Sequence, residues 1–253
     1  MIRARLAEAQ LALMLLTRLP AGRLPDPVPG IGASAWAFPL AGLAVGGGAA
    51  LVLWLAAWVL PLSLAVLLAL GAQIVLTGAL HEDGLADCAD GIWGGQTQAR
   101  RLEILRDSRL GSYGALALLL SVALRWQALM VLAGAGVSLA MAGLVALAVF
   151  SRLAPVLLLA LLPPAREDGL GHAARQVTGR MLALAGLVAL VPAAVVLPVL
   201  SLLLVVAGQL LVTLGLARLA RRRLGGQTGD VLGAGQQLAE MAGLLVLVAL
   251  MAR

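Results

Sequence analysis

The chain has 253 residues, 62% of them hydrophobic and only 12% charged, with a mean hydropathy of +1.02. A soluble domain carries about 25% charged residues, so these figures exclude an ordinary water-soluble globule and indicate a polytopic membrane protein. The net charge of +6 does not indicate nucleic acid: all eighteen basic residues are arginine, most lie between apolar runs, and aromatics are too few to form stacking platforms for bases.

Taken in order, Arg3 and Arg5 are followed by no long apolar core with a small-residue cleavage site, so no signal peptide is expected. Residues 4–19 mix Leu6, Leu13 and Leu16 with Arg5, Glu8, Gln10 and Arg18, a run too short and too charged to span and suited to a helix in the membrane interface. Pro20, Pro25, Pro27 and Pro29 then make an extended linker, completing an N-terminal segment over 1–30. A first span is predicted over 32–59, interrupted by Gly46-Gly47-Gly48. After a turn at Pro61, a second span over 62–80 runs straight into an acidic motif. Residues 81–113 form the main polar segment. Spans at 114–133 and 138–162 follow, joined by Gly134-Ala135-Gly136. The loop 163–180, with Arg166, Glu167, Asp168, His172, Arg175 and Arg180, reads as a solvated face. Spans at 181–197 and 200–217 meet near Pro198, and a glycine-rich polar loop over 218–230 leads to a last span at 231–252. Each run approaches the roughly 20 apolar residues that cross a hydrocarbon core of about 30 Å. The expected fold is all-α: a single membrane-embedded helical bundle of about seven spans plus the N-terminal interfacial helix.

Segments 1–30, 81–113, 163–180 and 218–230 hold fifteen of the eighteen arginines, whereas the turns at Pro61, Gly134 and Pro198 hold no charge. The positive-inside rule therefore puts the N-terminus and all polar loops on the cytoplasmic side, and only the C-terminus outside. Arg125, Arg152 and Glu240 fall inside predicted spans. A mid-bilayer charge costs roughly 2.5–3.5 kcal/mol on insertion scales and faces a bundle interior or a wet cavity. The two arginines either pair with Glu240 structurally or serve function, and Arg152 is a candidate for substrate phosphate. The single Cys88 excludes an internal disulfide and argues against a thiolate metal site.

The chemistry concentrates in His81-Glu82-Asp83-Gly84-Leu85-Ala86-Asp87-Cys88-Ala89-Asp90-Gly91, where four of the chain's twelve acids sit within nine positions. Asp83, Asp87 and Asp90 follow i, i+4, i+7 spacing and line one helix face, where like charges repel unless a cation holds them. Magnesium suits them, because it takes one or two carboxylates and completes its shell with water and substrate phosphate. Glu82 points elsewhere on such a helix and is a less secure ligand. His81 reads equally as a base, a phosphate donor or an interfacial residue. Downstream, Arg106-Asp107-Ser108-Arg109 offers two planar donors for phosphate around one acid, itself a candidate ligand or base. Gly225, Gly226, Thr228, Gly229 and Asp230 form a turn entering a helix, either an anion site or a capped connector, and lack the Lys of a P-loop.

Those residues carry a resemblance to the cobalamin synthase family over essentially the whole length. It rests on Leu16-Thr17-Arg18-Leu19-Pro20, His81 to Asp87 with Asp90-Gly91, Arg106 to Gly111 with Tyr113-Gly114, and Gly226 with Thr228-Gly229-Asp230 and Gly233-Ala234. The resemblance implies an integral inner-membrane enzyme that needs magnesium, as one or two ions. It would join adenosylcobinamide-GDP to α-ribazole, or to α-ribazole 5′-phosphate, and release GMP. Asp83, Asp87 and Asp90 would be metal ligands, with Glu82, Asp107 and Asp230 as further acidic members. Arg106, Arg109, Arg152, Gly226, Thr228 and Gly229 would face phosphate, and Asp90, Asp107 or His81 would move the proton. Gln237 stands where the resemblance leads one to expect an acid. Rival readings are a CDP-alcohol phosphotransferase, an aspartate-rich prenyltransferase, or a cation-coupled transporter, whose ligands would lie near the midplane. A homo-oligomer stays open.

Overall fold

A computed structural model describes residues 2–107, 109–169, 173–174 and 177–251; Ser108, His172 and Arg175, named above, lie outside the described residues. The architecture is an all-α bundle, and among the described residues the only β pairing is an isolated bridge between Pro164 and Gln227. Helix α1 (Ile2–Leu16) buries Ala7, Ala12 and Leu16. A short α2 (Ile31–Ser34) and a 3-10 turn (Ala35–Ala37) then lead into α3 (Phe38–Ala56). Next come α4 (Leu62–Thr77), α5 (Leu80–Gly94) and the short α6 (Gln98–Ile104). The longer runs are α7 (Ser112–Ala135), α8 (Val137–Ser151) with α9 (Leu153–Leu161), α10 (Gly179–Val196), α11 (Val199–Leu224) and α12 (Gly229–Met251). Among the described residues, six runs are long and apolar enough to cross a membrane, and α4 with α5 makes a seventh if that bent pair counts as one span.

Three boundaries differ from the sequence expectation. Gly46-Gly47-Gly48 does not interrupt the first span: α3 runs through it and packs against α8. A Cβ on Gly46 would lie 2.7 Å from the Leu144 carbonyl oxygen and 2.9 Å from the Ala148 Cβ. In lipid no hydrophobic force drives helices together, so close backbone approach through small residues supplies the packing.

The second span does not run straight into the acidic motif. Gly78 and Ala79 both adopt left-handed backbone (φ 63° and 59°), and α5 leaves at 86° to α4. The Arg18 N–H donates to the Leu76 carbonyl (2.7 Å) and the Arg18 side chain lies over Gly78, so the Leu16–Pro20 motif braces this corner. The third difference is in the loop expected over 218–230. Residues up to Leu224 are helical, which places Arg221, Arg222 and Arg223 in the last turn of α11, where cations complement the helix dipole.

The α3–α8 contact yields a paired prediction. Gly46→Ala forces backbone apart and lowers stability by about 1–3 kcal/mol. Gly47→Ala meets nothing within 4 Å and leaves stability unchanged or slightly raised through helix propensity. Thermal unfolding of both variants in detergent micelles checks the contrast.

Candidate functional site

The apolar bundle closes around one cluster of charge. Arg125, only 1% exposed, donates from Nη1 to Glu82 (2.9 Å) and to the Gln237 Oε1 (2.9 Å). Its Nη2 donates to the Gln73 Oε1 (3.1 Å) and lies 3.5 Å from Glu240. Glu82 also accepts from the Gln237 Nε2 (3.0 Å), and Glu240 accepts from the Gln236 Nε2 (2.6 Å). Arg152 lies 3.9 Å from Glu240 and donates to the Ala148 carbonyl (2.8 Å). Two arginines thus face two glutamates, and the charge balances only because Gln237 is neutral.

Two candidate site residues lie in this cluster. Glu82, expected to point away from the acidic face, turns inward from Asp83 to meet Arg125. Arg152, expected at phosphate, is buried beside Glu240. Gln73, Gln236 and Gln237 escaped the sequence reading, because a lone amide in an apolar helix carries no distinctive signal.

From this anchor α5 runs to the arginine-rich end of the bundle, which we call the mouth. It packs closely on α12 at Gly84, where a Cβ would lie 2.8 Å from the Asp230 carbonyl oxygen and 3.1 Å from the Gly233 Cα. Two acids flanking Gly84 on the outward face, Asp83 (exposed) and Asp87 (half-buried), are thereby brought to Asp230 at the start of α12. Asp87 feels the charges of Asp83, Asp230 and Asp90 and, with opposite sign, that of Arg166. The Arg166 Nη2 lies 3.9 Å from Asp230, so the loop read as a solvated face contributes a cation to the mouth. The Thr228 hydroxyl donates to Asp230 (3.0 Å) and accepts the Val231 N–H (3.3 Å), capping α12. Gly226 is packed against Pro163, with Gln227 and Ala165 exchanging backbone hydrogen bonds with the facing segment. Of the two readings of this turn, the geometry matches the capped connector, with Thr228 as the cap.

Asp90, expected as both ligand and base, has one oxygen accepting the Gly111 N–H (2.7 Å) and the other the Gly114 N–H (2.9 Å). A side chain on either glycine would run into the carboxylate. Asp90 therefore ties the end of α5 to the first turn of α7. Asp107 accepts from the backbone, Nε and Nη2 of Arg109, the last at 2.6 Å. Those hydrogen bonds hold its carboxyl at about 2. It is ionised throughout the neutral range and a poor proton acceptor there. Arg106 donates to both oxygens of Asp168 (2.8 and 2.7 Å). These are exposed pairs of small net worth, which a phosphate could exchange. His81 is buried, two residues before Asp83, with its Nε2 unpartnered. Among the described residues no three His, Cys, Asp or Glu side chains are grouped to hold a metal ion.

Comparison with known proteins bears on this geometry. A family described as cobalamin-5-phosphate synthase matches residues 8–248. The chain is 44% identical over 250 residues to a protein of Bradyrhizobium diazoefficiens, covering 98% of this chain and 95% of that one. It is 45% identical over 249 residues to one of Azorhizobium caulinodans, covering 95% and 94%. A Mesorhizobium japonicum protein is 43% identical over 250 residues, covering 95% and 92%. All three are named adenosylcobinamide-GDP ribazoletransferase. No solved structure matches the chain.

The backbone tie made by Asp90 is directly testable. Asp90→Ala strands two N–H groups and costs about 1.5–3 kcal/mol, with faster amide exchange at residues 111–114. Asp90→Asn, which keeps one acceptor oxygen, falls between. Unchanged stability with abolished activity would instead return Asp90 to the reacting groups.

Proposed function

The chain belongs to the cobalamin-5-phosphate synthase family, transferases of cobalamin nucleotide-loop assembly, and from that premise we propose that it joins adenosylcobinamide-GDP to α-ribazole, or to α-ribazole 5′-phosphate, with release of GMP. The observation that carries this reading is the contact of Gly84 with α12, which brings Asp83 and Asp87 within electrostatic reach of Asp230 and Arg166. Hard oxygen donors of this kind suit magnesium. A site that borrows substrate phosphate for the rest of its shell needs no preformed cage of three protein ligands. When bound there, the ion neutralises diphosphate oxygens and eases attack and departure.

The residues of the chain divide the remaining work. One or two of Asp83, Asp87 and Asp230 would hold the metal, with substrate phosphate and water completing its shell. Arg166 takes part of the diphosphate charge, joined by Arg106 and Arg109 once phosphate displaces their carboxylate partners. The ribazole hydroxyl attacks the cobinamide-linked phosphorus in line, its proton passes to solvent water, and the bond to the GMP oxygen breaks. The arginine distribution supports a cytoplasmic mouth in the inner membrane, where nucleotide substrates reside. A transporter or a CDP-alcohol enzyme has no support in the family comparison.

Purified protein supplied with magnesium, adenosylcobinamide-GDP and α-ribazole releases GMP, and EDTA stops it. Asp87→Asn lowers the rate about 100-fold or more. Chromatographic detection of GMP checks each outcome, and full turnover in EDTA contradicts the metal role.

A further inference from the structure

Beside the mouth lies an open-sided cleft whose carboxylates the reaction chemistry above does not use. Its volume is about 440 Å³, within the usual range of roughly 300–1,000 Å³ for small-molecule sites. Helix α6 and the turn after it line one wall with Ala99, Leu102, Glu103 and Arg106, and the facing segment lines the other with Arg166, Glu167 and Asp168. Arg166 joins this cleft to the mouth: it lines the one, and its Nη2 lies 3.9 Å from Asp230 in the other. That Nη2 also donates to the Leu102 carbonyl (3.1 Å), while the buried Nε has no partner among the described residues. The three carboxylates differ in what they hold. Glu103 pairs with Arg100 (2.7 Å), and Asp168 accepts from Arg106 through both oxygens. Glu167 is exposed and has no hydrogen bond or ion pair among the described residues.

We infer that this cleft holds the guanine of the donor, with the Glu167 carboxylate accepting from the base's N1–H and its C2 amino group. The inference rests on the transferase reading and names a specificity-determining residue within it. Guanine presents those two donors side by side, spaced to meet the two oxygens of one ionised carboxylate. Adenine instead sets an acceptor at N1, which a carboxylate repels. A benzimidazole-type base, once glycosylated, has no N–H donor at all, so the acceptor nucleoside cannot satisfy this wall. Ala99 and Leu102 offer apolar surface to a purine face. Base and phosphate are also served together. Arg106 and Arg166, which the reaction reading assigns to the diphosphate, line the same cleft as Glu167, so one nucleotide meets both kinds of group at once. Because the cleft is polar and open-sided, the departing GMP reaches water without crossing the apolar bundle.

The test uses the full chain in lipid nanodiscs with magnesium and measures equilibrium binding of GMP, IMP and XMP, beside GMP release during turnover. IMP, which lacks the amino group, binds the wild type about ten-fold less tightly than GMP, the effect of one lost hydrogen bond to a charged group. Glu167→Ala weakens GMP about ten-fold or more and binds GMP and IMP alike. In Glu167→Gln the amide N–H donates to the carbonyl that xanthine carries in place of the amino group. That variant therefore shifts the preference for GMP over XMP by about 100-fold toward XMP, which Glu167→Ala does not do and a merely structural Glu167 would not produce. Unfolding midpoints of both variants match the wild type, since Glu167 is exposed, and this shows that they fold. Wild type that binds no GMP, or binds GMP and IMP alike, or GMP affinity indifferent to both variants, overturns the subsite even where GMP release from the substrates stands. Guanine-selective binding that depends on Glu167, in a protein that releases no GMP, sinks the transferase reading and leaves the subsite intact.

Discussion

A buried charge pair sets the geometry of this protein. Glu82 on α5 meets Arg125 on α7 inside a bundle whose other residues are overwhelmingly apolar. Neither charge can remain alone in that surrounding, so the rotation and depth of α5 are fixed by the demand that they meet. A buried pair is weak evidence for net stability, because its desolvation offsets its attraction; losing one partner, by contrast, costs roughly 3–5 kcal/mol. The pair therefore specifies an arrangement more than it strengthens the fold. Glu240, Gln237 and Gln73 supply further hydrogen bonds to Arg125, while its Nε and one Glu82 oxygen are left without a partner among the described residues.

Everything at the mouth follows from that rotation. With Glu82 turned inward, Asp83 and Asp87 face outward, and Gly84 lies against the backbone of α12 at Asp230. At the far end of α5, Asp90 clamps the first turn of α7. One helix is thus held at its start by an ion pair, in its middle by backbone contact, and near its end by two hydrogen bonds. Such fixing from three sides gives an acidic site its preorganisation without a preassembled metal cage. The corner at Gly78 and Ala79 sets the direction in which α5 leaves the apolar span.

Much of this was legible in the sequence, for identifiable reasons. Apolar runs announced the spans, and arginine-rich loops announced which ends belong together. The i, i+4, i+7 spacing identified Asp83 and Asp87 as one face, and the same spacing argument set Glu82 apart. It could not separate Asp90, whose carboxylate is captured by N–H groups more than twenty residues away. The α4–α5 corner was hidden because Ala79 carries no turn signal and adopts left-handed backbone only under tertiary constraint. The glycine run at 46–48 misled for the opposite reason: in water it signals a break, whereas between membrane helices it permits close approach. Arg166 was invisible as a site residue, since only the pairing of residues 163–165 with Gln227 carries it to Asp230.

The measurement that bears most directly on the central claim is a double-mutant cycle between Glu82 and Arg125, read by reversible unfolding in a fixed detergent or lipid. Glu82→Leu and Arg125→Leu each strand the opposite charge, whereas the double variant removes both. The account predicts a coupling energy of about 2 kcal/mol or more, with the double variant more stable than Arg125→Leu alone. Coupling within about 0.5 kcal/mol of zero would mean that the two charges do not hold α5 in place.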